Sequence, residues 1–168
     1  MKLTQKYLKE ILTYNQETGM FKWNISISSV KVGDKAGYTH SIGYVIITIN
    51  KKQILAHRLA WLYMNGSYPS KYIDHINHIK TDNRWCNLRE VTTAENNRNM
   101  PLSKRNKSGT IGVHFIKDRN RWRASIMINR KRIGLGNFTN KECAIKARKK
   151  ASIKYGFHEN HGNILGAL

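Results

Sequence analysis

The first apolar positions, Leu3, Tyr7, Leu8, Ile11 and Leu12, recur at helical spacing, and Asn15 to Gly19 then reads as a turn into a short strand at 20–24. Between 43 and 55 the pattern becomes strand-like: Val45, Ile47 and Ile49 alternate, and Asn50-Lys51-Lys52 supplies a polar hairpin turn. Residues 56–64, AHRLAWLYM, predict a compact apolar helix that stops at Asn65-Gly66, with Gly66 in the left-handed position past its end. From 72 to 91 two short strands flank a long polar loop. Thr92-Thr93-Ala94-Glu95 then forms a capping box, Thr92 as N-cap and Glu95 at N3, that opens the next helix.

Periodicity lapses over Met100-Pro101-Leu102-Ser103-Lys104-Arg105-Asn106-Lys107-Ser108-Gly109, a cationic stretch with the composition of a linker. Three strands follow at about 109–116, 121–129 and 131–138, separated by turns at Asp118-Arg119-Asn120 and Asn129-Arg130. A second capping box, Thr139-Asn140-Lys141-Glu142, starts a helix carrying Ala144, Ala147 and Ala151 on one face. The expected fold class is α+β in two parts. Residues 1–99 hold a small helix and β-hairpin followed by strand, loop, strand and helix over about 72–99; residues 100–108 are a basic linker; residues 109–168 are a three-stranded antiparallel sheet packed on one helix.

Charge narrows the function. The 168 residues carry 30 Lys+Arg against 10 Asp+Glu, a formal +20, which attracts polyanions and makes nucleic acid the expected partner. The 30 basic residues divide 14 and 16 on either side of the Met100 boundary, while the acidic ones divide 7 and 3, so the C-terminal part is the more cationic. No long amphipathic helix collects these cations and no stretch reaches the length of a membrane span, which argues against a membrane partner. Cys86 and Cys143 stand alone, without a Cys-x-x-Cys pair, and residues 1–10 contain no apolar leader; a reducing, cytoplasmic location is expected.

One constellation carries chemistry. Asp74 and His75 are adjacent on a short strand, so they point to opposite faces: the carboxylate can hold a metal ion while the imidazole approaches a scissile phosphate from another side as a base. Asn96, in the first turns of the following helix, could aim its amide oxygen at the same ion. Two oxygen donors suit a hard divalent cation, Mg²⁺ with Mn²⁺ as the other choice. His75 must be unprotonated to act, which an ordinary pKa near 6.5 allows at neutral pH. Taken singly, an Asp-His pair or an Asn near a helix start is most often structural. The constellation gains meaning from its spacing and from the basic chain around it.

Ile73-Asp74-His75, then Asp82-Asn83, Asn87-Leu88-Arg89, Val91-Thr92 and Glu95-Asn96, resembles the HNH (ββα-metal) endonucleases, in particular phage and intron homing nucleases with Asn at the last motif position. The helix Ala56-His57-Arg58-Leu59-Ala60-Trp61-Leu62 and the 43–55 hairpin extend the resemblance over roughly 12–99. It implies His75 as general base, Asp74 and Asn96 as metal ligands, and Asn87 as the residue that braces the loop and orients His75. His57, at a helix start, is read as a packing or phosphate-contacting residue, and neither His57 nor His78 as a metal ligand.

In the C-terminal part, Trp122, Ala124, Ile126 and Ile128 form one face of a strand, with Trp122 in the core, and Arg121, Arg123, Ser125 and Met127 form the other. His114, Arg130, Lys131 and Arg132 on neighbouring strands extend a basic sheet surface suited to the major groove. Ser108-Gly109-Thr110-Ile111-Gly112-Val113, Arg121-Trp122-Arg123-Ala124 and Arg132 to Phe138 resemble the Apetala-two/ethylene-response-factor (AP2/ERF) DNA-binding domain. That resemblance implies base reading by Arg121, Arg123 and Arg132, with Gly134 where the family often has an aromatic. Lys104 and Arg105 in the linker are placed near DNA. The reading is a site-recognising phage homing or mobile HNH endonuclease, acting on double-stranded DNA as a monomer or homodimer in a phage-infected or bacterial cell. The competing class is a non-catalytic, sequence-specific DNA-binding regulator built on a degenerate HNH fold.

Overall fold

Local signals fix most element ends in the N-terminal half. The Thr4 hydroxyl accepts from the Tyr7 amide and caps α1 (Gln5–Ile11). Leu12, which continues the apolar spacing of that helix, is instead extended and opens β1 (Leu12–Tyr14), because it pairs with Trp23 of β2 (Phe21–Trp23). The sheet is completed by β3 (Lys35–Ala36), in the order β1-β2-β3. A second sheet runs β4 (Tyr38–Thr39), β5 (Val45–Ile49) and β6 (Lys52–Leu55). Its hairpin turns on Asn50 and Lys51, both at positive φ, as a two-residue turn matched to strand twist requires. The apolar helix α2 (Ala56–Asn65) ends where Gly66, at φ 80°, returns its N–H to the Leu62 carbonyl at 3.0 Å. A two-stranded ladder follows, β7 (Tyr72–His75) against β8 (Leu88–Val91).

This computed structural model describes residues 3–163, so the outermost ends of the two expected domains lie outside the described residues. The chain divides into compact units at 1–92 and 93–168, a boundary ahead of the one expected after residue 99. The first unit is built on an apolar core in which Leu8, Leu12, Ile47 and Leu59 are completely buried, packed with Phe21, Ala60 and Leu88.

The second unit opens with α3 (Thr93–Asn97), a shorter helix than the capping box suggested. The residues after it are tied to the C-terminal segment: amides of His158, Gly162 and Leu102 donate to carbonyls of Arg98, Met100 and Asn163, at 3.0, 2.8 and 3.0 Å. Part of the expected linker is therefore hydrogen-bonded backbone. The Asn106 side chain accepts from the amides of Ser108 and Gly109, which turns the chain and delays β9 to Val113–Ile116. A short 3-10 turn (Lys117–Arg119) leads into β10 (Arg121–Ile128), and Asn129 and Arg130, both at positive φ, lead into β11 (Lys131–Phe138). The sheet order is β11-β10-β9, all antiparallel, with a register shift beside Ala124/Ser125 that leaves Leu135 of β11 without an opposite residue. Helix α4 (Lys141–Lys154) covers one face through Ala144 against Val113 and Ala124. Its N-cap is Asn140 and not Thr139: the Asn140 amide oxygen accepts from the Glu142 amide at 2.6 Å. Mixed α+β architecture with small antiparallel sheets is thus observed, as expected from the sequence.

Candidate active site

Register decides what Asp74 meets. In the β7–β8 ladder Asp74 stands opposite Arg89 and His75 opposite Leu88, so the two adjacent residues leave on different faces. The Arg89 guanidinium donates twice to Asp74 Oδ2, from Nε at 3.1 Å and Nη2 at 2.8 Å. Residues directly opposite in an antiparallel ladder share a face, so this ion pair follows from strand pairing alone. Within the motif Arg89 has no role legible from residue type; a register count across the hairpin is the signal that pairs it with Asp74.

His75 faces inward. It is 5% exposed, its ring edge meets the His57 ring at 5.0 Å between centroids, and Tyr44 lies against it at 5.9 Å. Its Nε2 is 3.2 Å from Asn83 Oδ1. A neutral imidazole presents one donor and one acceptor nitrogen, so this contact makes Nε2 the N–H and leaves the lone pair on Nδ1. Asn83, itself 2% exposed, likewise has no role legible from residue type.

The loop between the strands is held by its own polar side chains. Asn87 accepts at Oδ1 from the Asn77 amide at 3.0 Å and donates from Nδ2 to the Asp82 carbonyl at 2.8 Å, closing the loop at its base. Asp82 accepts from Asn77 and is clamped by Arg84, Nε at 2.8 Å and Nη2 at 2.6 Å. Asn87 therefore spans the loop, while Asn83 is hydrogen-bonded to the His75 ring. Outside support comes from the N-terminal hairpin: the Tyr14 hydroxyl donates to the Asn83 carbonyl at 2.6 Å and the Trp85 amide donates to the Gln16 carbonyl at 2.9 Å. Gly19, at φ +72°, lies so close to the Asn83–Arg84 backbone that a Cβ there would collide with it.

Burial sets the electrostatics. Desolvation pushes the His75 pKa below its usual value, more than the Asn83 hydrogen bond and the Asp74 and Asp82 charges pull it up. His57 is lowered to about 3, first by burial and then by His75 and Arg58. Burial, helped by Asp74, raises the Tyr44 hydroxyl. Lys80 sits over the Tyr44 ring at 4.6 Å, placing a cation beside the cluster. Asp82 is held below the usual carboxylate range chiefly by its hydrogen bond from Arg84.

The donor chemistry limits which metal could be held. Among the described residues no three His, Cys, Asp or Glu side chains gather as a metal-binding group. What β7 offers is a single carboxylate charge-matched to Arg89. That fits a hard divalent cation that keeps most of its water, and it does not fit a closed zinc cage. Asn96 lies on α3, in the second unit.

In the second unit, pairing aligns His114, Arg123 and Asn137 across the three strands, and places Arg121 opposite Ile116 and Arg132 opposite Met127. These share the face turned away from Ala124 and its helix. Arg121, Arg123 and Arg132 are exposed there. Lys131 pairs with Ile128, on the opposite side of β11 from Arg132, and Arg130 occupies the turn. Trp122 is half-buried against the core, with Lys141 over its ring at 5.4 Å. Lys104 and Arg105 are exposed. Among the described residues no helix is long and apolar enough to cross a membrane.

A strand pair bearing Asp74 and His75 around a loop closed by Asn87, preceded by α2, is the stretch that comparison assigns to a known class: residues 55–98 match the HNH endonuclease family. The match is narrower than the 12–99 stretch of the motif resemblance. Over 71 residues the chain is also 37% identical to "Protein 3.8" of Escherichia phage T7, an alignment covering 42% of this chain and 59% of that protein. The chain thus spans about three fifths of the length of this curated relative. No solved structure matches the chain.

Proposed function

We propose that this chain is a DNA endonuclease of the HNH type that hydrolyses phosphodiester bonds with one divalent cation, Mg²⁺ or Mn²⁺. The observation that carries the reading is the Asp74-His75 step on β7, beside a loop closed by Asn87, inside the segment that matches the HNH endonuclease family. Asp74 is the ligand offered by β7, and Asn96 is assigned as the second ligand from the motif. When bound, the ion supplies charge stabilisation to the phosphate and to the leaving 3′ oxygen.

The remaining work falls to the side chains. Asn83 holds Nε2–H of His75, so Nδ1 is the nitrogen that accepts a proton from water. As that proton moves to Nδ1, the water oxygen bonds to phosphorus and the P–O3′ bond breaks; the departing 3′ oxygen takes a proton from solvent, leaving 5′-phosphate and 3′-hydroxyl ends. Burial keeps the imidazole neutral, and so free of the proton it must accept, at physiological pH. Arg89 neutralises Asp74 until an ion competes for it. Because His75 is buried, DNA engagement must uncover it on this reading. Arg121, Arg123 and Arg132, on the open sheet face, are assigned to base reading in the manner of an AP2/ERF-like domain, and His114, Arg130, Lys131, Lys104 and Arg105 to phosphate contacts. A site-choosing module beside a cutting one suits a mobile or homing phage nuclease.

The burial of His75 and the Arg89 clamp on Asp74 favour one other reading, a DNA-binding regulator on an HNH scaffold that no longer cuts. Incubation with phage-derived duplex DNA, with and without Mg²⁺, separates the two. The nuclease reading expects Mg²⁺-dependent ends with 5′-phosphates that vanish in His75→Ala; intact DNA with undiminished binding decides for the regulator.

A further inference from the structure

A cavity of about 700 Å³ lies wholly within the second unit, between α3, the last residues of β10 and the Arg148 position of α4. Four arginines, Arg98, Arg130, Arg132 and Arg148, line it, and no Asp or Glu does. Arg130 and Arg132 are exposed and Arg98 is half-buried, so they form its rim.

Arg148 is different. It is 3% exposed, yet its Nε–H has no hydrogen-bond partner. One Nη donates to the Ser152 hydroxyl, and the guanidinium lies over the Phe157 ring at 5.0 Å. Gly112 makes room for it: a Cβ there would come within 2.8 Å of Nε. Among the described residues the one carboxylate that borders the adjoining cavity with Arg148, Glu159, is exposed and makes no ion pair with it. Burial is the cause that lowers the Arg148 pKa, with no acidic group acting against it. A guanidinium withdrawn from water without a counter-ion is costly, and proteins resolve that cost with a carboxylate or with a bound anion. The planar fork of arginine matches the oxygens of a phosphate group, and further cations at the rim add attraction without demanding geometry.

We propose that this cavity is a phosphate-binding site, with Arg148 donating to the phosphate oxygens and Arg98, Arg130 and Arg132 neutralising its charge. The phosphate belongs either to a nucleic-acid backbone or to a free phosphate ion. Its lining includes none of Asp74, His75 and Asn96, and it is tested in EDTA, where cleavage plays no part.

The experiment follows the arginine Nε–H signals of the full chain by ¹H–¹⁵N NMR, with Arg148→Lys identifying the Arg148 signal. Inorganic phosphate and a short DNA duplex are titrated separately. A saturable shift of the Arg148 signal is expected, and affinities measured by calorimetry should be lowered about tenfold in Arg148→Lys and reduced in Arg130→Ala, as loss of charged hydrogen bonds would give. A shift with the duplex alone assigns a backbone phosphodiester; a shift with phosphate that the duplex does not displace assigns a free ion. The proposal is overturned if neither ligand moves the signal, or if Arg148→Lys binds both as tightly as the unaltered chain. Should Arg148→Lys fail to fold, the exposed Arg130→Ala and Arg132→Ala variants decide: unchanged affinity for both ligands overturns the site.

Discussion

The two units handle buried polarity in opposite ways. In the first, a deep core of Leu8, Leu12, Ile47 and Leu59 supports buried side chains that are largely knitted together, Asn83 to His75 and Asn87 to Asn77 and Asp82, with His57 Nδ1 the exception. Its carboxylates are engaged too: Asp74 by Arg89, Asp82 by Arg84, and Glu90 by the Ser70 and Lys71 amides. In the second, the core rests on small side chains, Val113, Ala124 and Ala144, and the buried polar group that stands out is a cation, Arg148. One unit spends its core on holding a geometry fixed; the other spends its surface on holding charge. Catalysis needs the first property and polyanion binding the second.

The contrast can be broken at its strongest point by Leu59→Ala, which empties a fully buried position of the first unit. A loss of about 2–5 kcal/mol is expected in denaturant melts. Val113→Ala removes less volume and should cost the second unit less; equal losses would show that the cores do not differ as described. Next in size, His75→Ala should lower Mg²⁺-dependent cleavage by about 10²-fold or more while gel-shift affinity in EDTA stays nearly constant. A parallel fall in affinity would make His75 a structural residue.

Smaller is the expected effect of Arg123→Ala, between His114 and Asn137 on the open sheet face: about 1–3 kcal/mol of DNA affinity and a relaxed preference at one base position. If it contacts a phosphate instead, binding should weaken uniformly and the log–log salt slope should drop by about 0.9. The gentlest test is pH. His57 is lowered to about 3 in the folded chain, so between its ordinary value near 6.5 and that point the unfolded chain binds a proton that the folded chain refuses. Stability should therefore fall as pH drops through this window, and His57→Gln should flatten the fall in melting curves taken from pH 7 to pH 4. His75, also lowered by burial, should keep the acid limb of the cleavage profile below 6.5.

Where a signal was local, the sequence was readable. Gly66 past α2, Asn50-Lys51 between β5 and β6, and the strand–loop–strand over 72–91 each declare themselves through residues adjacent in the chain. Leu12 was not readable, because its apolar spacing serves helix and strand equally and only its pairing with Trp23 decides. The contact between His75 and Asn83 joins positions eight residues apart in a loop with no period, so neither could be assigned to the other. Arg148 hides in the run Arg148-Lys149-Lys150, which reads as a solvated face; its burial depends on Gly112, far away in the chain. The resemblance of the C-terminal part to an AP2/ERF domain rests on sequence motifs alone, and the family match ends at residue 98.

The close fit of Gly19 against the Asn83–Arg84 backbone has a practical corollary. A fragment cut to residues 55–98 keeps every residue of the HNH match but discards the hairpin on which Asn83 rests, so the imidazole it orients loses its anchor. The matched segment is not a portable cassette in this chain, and a methyl group added at position 19 would reach His75 without ever touching it.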